Sequence, residues 1–161
     1  MNNRSHIILS VILVITIMAM IFAFSAQDGA TSGQSSAGIT DKITQSIVPS
    51  IESKPQDVKI KIYDIIGMII RKIAHLAEFF ALGASLTFML RTFNMRGKRL
   101  FIYPISIGAI YAASDELHQY FVPGRAARIT DVLIDIIGVF MGCVAVNIIY
   151  HLLLRKRAKQ C

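Results

Sequence analysis

LFIYPISIGAIYAASDELHQYFV, residues 100–122, decides how this chain is read. Its apolar part, Leu100 to Ala113, is 14 residues long. At about 1.5 Å per residue that is too short to cross a hydrocarbon core about 30 Å thick. The segment reaches spanning length only if its helix continues through Asp115-Glu116-Leu117-His118-Gln119 toward Val122. The helix would then carry two carboxylates, an imidazole and an amide into the membrane. An ionisable group in that position costs about 3 kcal/mol on insertion scales, so it normally has a partner and a role.

The rest of the chain supports a membrane setting. Of 161 residues, 54% are hydrophobic and 17% charged, with a mean hydropathy of +0.57, which is too apolar for an ordinary soluble domain. Ile7 to Phe24 is an 18-residue run without a charge, opened by Arg4. The h-region of a cleaved leader is about 7–15 residues, so this longer run reads as an anchor even though Ala23, Ser25 and Ala26 are small. Further spans are expected at residues 73–90 and 132–154, and with 7–24 and 100–120 they make four transmembrane helices in a single all-α domain, residues 1–161. Residues 25–70 form the first external loop. Within it Ile39, Ile43, Ile47 and Val48 are spaced for one short amphipathic helix. Ile60, Tyr63, Ile66 and Ile70 are spaced for a second, after Pro55, leading into the second span.

The formal net charge of +7 does not point to nucleic acid, because the basic residues lie in short runs beside apolar segments. Arg4 opens the chain, Arg91, Arg96, Lys98 and Arg99 sit between spans two and three, and Arg155, Lys156, Arg157 and Lys159 form the tail. None of these runs contains an acid. The positive-inside rule therefore puts both termini and that loop in the cytosol. The polar clusters then fall at the outer ends of spans two, three and four, where they can converge on one pocket in the outer leaflet. Cys143 lies in an apolar run and Cys161 ends the basic tail, so no disulfide is expected.

Spacing says which polar residues share a face. Arg71, His75 and Glu78 are i, i+4, i+7; Asp115, His118 and Gln119 are i, i+3, i+4; Asp131 and Asp135 are i, i+4. The Asp131/Asp135 stripe continues through Gly138 and Gly142, a small-xxx-small pattern that lets another helix approach closely. The packing face is thus also the carboxylate face, and the acids should point inward. Plainer readings stand beside this one. Arg71 and Lys72 can snorkel to the interface. His75 and Glu78 can form a structural pair, and Asp131 can answer the helix macrodipole with Thr130 as N-cap.

The candidate catalytic set is His75, Glu78, Asp115, Glu116, His118 and Asp135; the candidate substrate-binding set is Arg71, Lys72, Gln119, Arg125 and Asp131. The acids and imidazoles suit a hard divalent cation, or Zn²⁺ through the histidines, with His75, Glu78, Asp115, His118 and Asp135 as potential ligands. They equally suit metal-free acid–base chemistry, with a histidine near neutral pKa oriented by a carboxylate. Arg71, Arg125 and Arg128 can hold a phosphate or carboxylate in bidentate fashion, and Pro123-Gly124 should turn tightly to present Arg125 at the mouth of the site. The chain has no Walker A loop, G-x-S-x-G elbow or dinucleotide fingerprint.

Arg71-Lys72-x-x-His75-x-x-Glu78-Phe79, Asp115-Glu116-x-His118-Gln119-x-Phe121-x-Pro123-Gly124-Arg125 and Asp131-x-x-x-Asp135-x-x-Gly138-x-x-x-Gly142 occur in this order over nearly the whole chain. Together they resemble the VanZ-like membrane proteins. Phe24-Ser25-Ala26-Gln27 also resembles the family, although Ala26 stands where a second serine is common. The resemblance implies a small bacterial polytopic protein of the cell membrane, in a family whose name-giving member is associated with low-level teicoplanin resistance.

Three functions fit these residues. One is an enzyme at the outer leaflet acting on a lipid-linked or cell-envelope phosphate substrate. Another is a protein that binds an amphiphile, such as a lipoglycopeptide or an envelope precursor, without converting it. The third is a bundle whose polar network only sets helix register. Membrane lipid is the expected surrounding partner in all three.

Overall fold

The computed structural model describes residues 3–27, 29–125 and 127–158, and Cys161 lies outside them. The described residues are helical or connecting: α1 (Asn3–Ser25), α2 (Gly29–Ile47), a single 3₁₀ turn (Ile51–Ser53), α3 (Gln56–Thr92), α4 (Arg99–Tyr120) and α5 (Ile129–Ala158). Three helices are long and apolar enough to cross a membrane: α1 over Arg4–Ser25, α3, and α5 over Ile129–Lys156. With 22 residues α4 has the length, and its helix does run through Asp115 to Gln119, but its polar last turns make it less apolar than the other three.

The helices are antiparallel in two sets. Ser10 near the start of α1 lies 3.1 Å, hydroxyl to hydroxyl, from Thr92 at the end of α3. Ser25 at the end of α1 donates to Asp115 near the end of α4. Lys72 of α3 meets Asp131 at the start of α5, and Arg91 at the end of α3 donates to Asn147 further along α5. So α1 and α4 run one way, and α3 and α5 the other. The loop carrying Arg96 and Lys98, the start of α1 and the tail of α5 share one end of the bundle. The predicted polar clusters share the other.

Helix α3 is the hub, contacting every other helix, most extensively α5. Phe79, Leu82 and Leu86 of α3 are buried together with Val14, Ile21, Ala112, Val139 and Cys143. The α3–α5 seam is backbone against backbone. A Cβ on Gly142 would sit 2.2 Å from the Phe80 carbonyl oxygen, and one on Gly138 2.6 Å from that of Leu76. The small-residue stripe therefore faces α3, as its spacing predicts, and it turns Asp135 inward to 2% exposure. The outward surfaces are apolar, with Ile12, Ile15, Ile110, Ile137 and Phe140 exposed, as expected for helices solvated by lipid.

The segment between α1 and the second span is more ordered than its composition suggests. Residues 56–92 form one helix with no proline inside it, so the segment after Pro55 does not end before the second span but continues into it. At about 1.5 Å per residue, 37 residues extend about 55 Å, well beyond a hydrocarbon core. The overhang pairs with α2, which begins at Gly29 inside the Ser/Gly-rich stretch. The apolar stripe is only partly turned inward: Ile39 and Ile47 are exposed and Ile43 and Val48 half-buried, whereas Thr40 and Thr44 are buried. At α5, Thr130 lies within the first turn rather than capping it, because the Asp131 amide already bonds the Arg128 carbonyl.

Candidate functional site

The polar end of the bundle encloses a cavity of about 670 Å³. Its lining comes from α2 and the overhang of α3 (Thr40, Asp41, Tyr63, Asp64), from α3 at its entry to the bundle (Arg71, Lys72, His75), from Gln119 of α4, from the α4–α5 loop (Gly124, Arg125, Arg128) and from α5 (Asp131, Asp135).

One wall is a hydrogen-bonded cluster tying α1, α4 and the following loop together. The Ser25 hydroxyl and the Gln119 amide both donate to Asp115 Oδ2 at 2.8 Å, and the same amide reaches Ser25 Oγ at 3.3 Å. Arg125 donates to Gln119 Oε1 at 3.2 Å, to the Gln27 carbonyl at 3.1 Å and to the Phe24 carbonyl at 3.2 Å. The last two are carbonyls at the C-terminal end of α1, where a cation is favoured; the Phe24 carbonyl also accepts from the Gln27 amide at 3.3 Å. The turn is as its sequence predicts. The Arg125 amide closes on the Val122 carbonyl at 3.1 Å, and Gly124 takes φ +75° at the position where a type II turn requires it. Burial lowers the pKa of the Arg125 guanidinium from its ordinary value, and the neighbouring Arg71 adds to this.

The opposite wall carries an ion pair between Lys72 Nζ and Asp131 Oδ1 at 2.5 Å, both side chains about one-third exposed. His75 lies deeper, its Nδ1 4.0 Å from Glu78 Oε2, beyond hydrogen-bond range. Asp135 is deeper still. One oxygen of Asp135, one of Asp115 and His75 Nδ1 are buried without a hydrogen-bond partner among the described residues. Asp135 lies within electrostatic reach of Glu78, Asp115, Glu116 and Asp131. At the rim, no carboxylate pairs with Arg71 or Arg128 among the described residues.

Most of the predicted residues line the cavity, and four do not: Asp115 lies behind Gln119 in the hydrogen-bonded wall, and His118, Glu116 and Glu78 are placed elsewhere. His118 does not face the cavity; its ring stacks on Phe22 of α1 with centroids 4.6 Å apart. Glu116 is buried and accepts a hydrogen bond from the Arg128 amide, which makes it a support for the loop rather than part of the lining. Glu78 lies behind His75 and is absent from the lining. Among the described residues no group of three His, Cys, Asp or Glu side chains is arranged to hold a metal ion, so the potential ligands His75, Glu78, Asp115, His118 and Asp135 do not form one coordinating cluster.

Some residues of the site carry no local signal. Ser25, the last residue of α1, stands in the Phe24-Ser25-Ala26-Gln27 segment with nothing local to tie it to the site, yet its hydroxyl donates to Asp115. Tyr63 has the spacing of a packing residue, but its hydroxyl donates to Asp41 across the α2–α3 pair at 2.9 Å.

A helical bundle with lipid-facing sides and a charged chamber at one end defines a polytopic membrane protein with an embedded polar site. The chain belongs to the VanZ/LLP1 family, which matches residues 10–151. No curated protein and no solved structure matches it.

Proposed function

We propose that this chain is a four-span protein of the bacterial cell membrane, with both termini cytosolic, whose chamber opens at the outer leaflet and acts on the phosphate head group of a lipid-linked cell-envelope substrate. One observation carries this reading. Arg71, Lys72, Arg125 and Arg128 line a cavity that also contains the buried Asp135 and His75, in a protein whose outer surface suits lipid. Arginine pairs planar donors with phosphate oxygens, so the rim can hold the anion. His75 and Asp135 then lie deep enough to exchange protons with the bound group. Modifying an envelope precursor in this way would contribute to lipoglycopeptide (teicoplanin) resistance.

A second reading, capture of a lipoglycopeptide or envelope precursor without turnover, is favoured by a separate observation. His75 and Glu78 are 4.0 Å apart and no nucleophile–base pair is formed at the cavity among the described residues, while Arg71, Lys72, Arg125 and Arg128 all line it.

The two readings separate in one experiment. Wild type, His75→Ala and Asp135→Asn are expressed to equal levels in a bacterial host, teicoplanin susceptibility is measured, and envelope lipids are analysed by mass spectrometry. The enzymatic reading expects a converted lipid in wild type only, with resistance lost in both variants. Resistance without any converted lipid, retained in both variants and lost in Arg71→Gln/Arg128→Gln, selects capture. Full resistance in all variants rejects the chamber as the site.

A further inference from the structure

The opposite end of the bundle holds a second cavity, of about 470 Å³, which the function above does not use. Its lining includes Arg91 at the end of α3, Arg96 and Lys98 in the α3–α4 turn, Phe101 of α4, and Ile148 and Tyr150 of α5, and no carboxylate contributes to it. That absence is part of a larger asymmetry. Residues 3–14, 91–104 and 147–158, the described stretches at this end of the bundle, contain eight Lys and Arg residues and no Asp or Glu. All ten acids are elsewhere, so the whole positive excess of the chain lies at this end.

The cavity is built rather than incidental. The Arg91 guanidinium lies over the Tyr150 ring, 3.8 Å from its centroid, and donates to the Asn147 side chain. These contacts hold it in place, yet its Nε is buried without a hydrogen-bond partner among the described residues. A fixed cation with a buried donor left over is arranged for an acceptor from outside. Arg96 and Lys98 stand at the same mouth, and no acid pairs with either among the described residues. Phe101 and Ile148 make the flank of the cavity apolar. A cationic mouth joined to an apolar flank at the end of membrane helices matches an amphiphile with an anionic head and an acyl chain.

We propose that this cavity binds an acidic phospholipid, with the phosphate at Arg91, Arg96 and Lys98 and an acyl chain along Phe101 and Ile148. The site is independent of the chamber at the other end and of whatever is bound there.

The test uses the full chain in nanodiscs of phosphatidylcholine, with and without phosphatidylglycerol, and reads the thermal unfolding midpoint and the lipid retained in native mass spectrometry. Phosphatidylglycerol should raise the midpoint of wild type by about 4 °C and remain bound as one retained molecule. Arg96→Gln/Lys98→Gln, which leaves the Arg91–Tyr150 packing intact, should lose most of that shift and weaken retention at least about tenfold. Arg155→Gln/Lys156→Gln removes the same charge from the tail, outside the cavity lining, and should keep both. Equal loss in the two double variants would overturn the site in favour of diffuse surface charge. An equal shift with phosphatidylcholine alone, or with inorganic phosphate in place of the lipid, would overturn the acidic phospholipid as its occupant.

Discussion

Ser25 and Asp115, ninety positions apart, share a buried hydrogen bond of 2.8 Å that closes the end of α1 onto the end of α4. Asp115 is 3% exposed, and among the described residues Ser25 and Gln119 are the side chains that donate to its Oδ2. Removing one donor leaves a buried carboxylate less satisfied, which costs about 1–3 kcal/mol. Ser25→Ala should therefore lower thermal stability, while Ser25→Thr, which keeps the hydroxyl, should lower it less. In a double-mutant cycle with Asp115→Asn the coupling should be about 0.5–2 kcal/mol. Additive effects would mean that the bond does not hold the two helices together.

Gly142 sets the spacing of the α3–α5 seam. A Cβ there would fall 2.2 Å from the Phe80 carbonyl oxygen and 2.6 Å from the Ala84 amide nitrogen, both backbone atoms that cannot move aside cheaply. Gly142→Ala should cost at least about 1–3 kcal/mol and lower the unfolding midpoint by roughly 5 °C. Gly38→Ala is the matched control. It lies in α2 with nothing within 4 Å of the added Cβ. There the better helix propensity of alanine should leave stability unchanged or raise it by up to about 1 kcal/mol.

The contrast between those two glycines also marks what could be read without coordinates. The long apolar runs of α1 and α5 announce themselves, and an apolar run of only 14 residues, Leu100 to Ala113, points to an α4 that continues through its acidic turn. The Asp131/Asp135/Gly138/Gly142 stripe names the inward face because a polar group and a close approach want the same side of a membrane helix. Periodicity does not, however, tell which neighbour a face meets. His118 and Gln119 flank the Asp115 direction and are about 100° apart around α4. Gln119 turns to Ser25 and Arg125, and His118 turns to Phe22. The α2 wall was illegible for another reason. Thr40 and Thr44 are buried while Ile39 and Ile47 of the apolar stripe are exposed, and the Tyr63–Asp41 bond joins residues 22 apart with no pattern between them.

Lys72 and Asp131 form the ion pair that joins α3 to the first turn of α5 at the chamber wall. With each side chain 31% exposed, the pair lies between the exposed and the buried case, so losing it should cost about 1–2 kcal/mol. Lys72→Asp and Asp131→Lys should each destabilise, because like charges then face one another. The double exchange Lys72→Asp/Asp131→Lys should recover most of the loss in the unfolding midpoint. If the double exchange is as unstable as the worse single variant, each residue serves another partner and the pair is incidental.

The proposed four-span topology predicts a pattern of chemical access that no three-span arrangement shares. In a Cys161→Ser background, single cysteines at Ser50, Phe93 and Ala127 report the α2–α3 connection, the α3–α4 turn and the α4–α5 loop, and Cys143 is fully buried and should stay unreactive. A membrane-impermeant maleimide applied to intact cells should label Ser50→Cys and Ala127→Cys, and should label Phe93→Cys only after permeabilisation. If α4 does not cross, Ala127→Cys follows Phe93→Cys instead of Ser50→Cys. If the whole chain is inverted, all three change sides together, and the chamber lined by Arg71 and Arg125 then faces the cytosol. That inverted result would leave the geometry of the site untouched but remove the cell-envelope substrate from its reach.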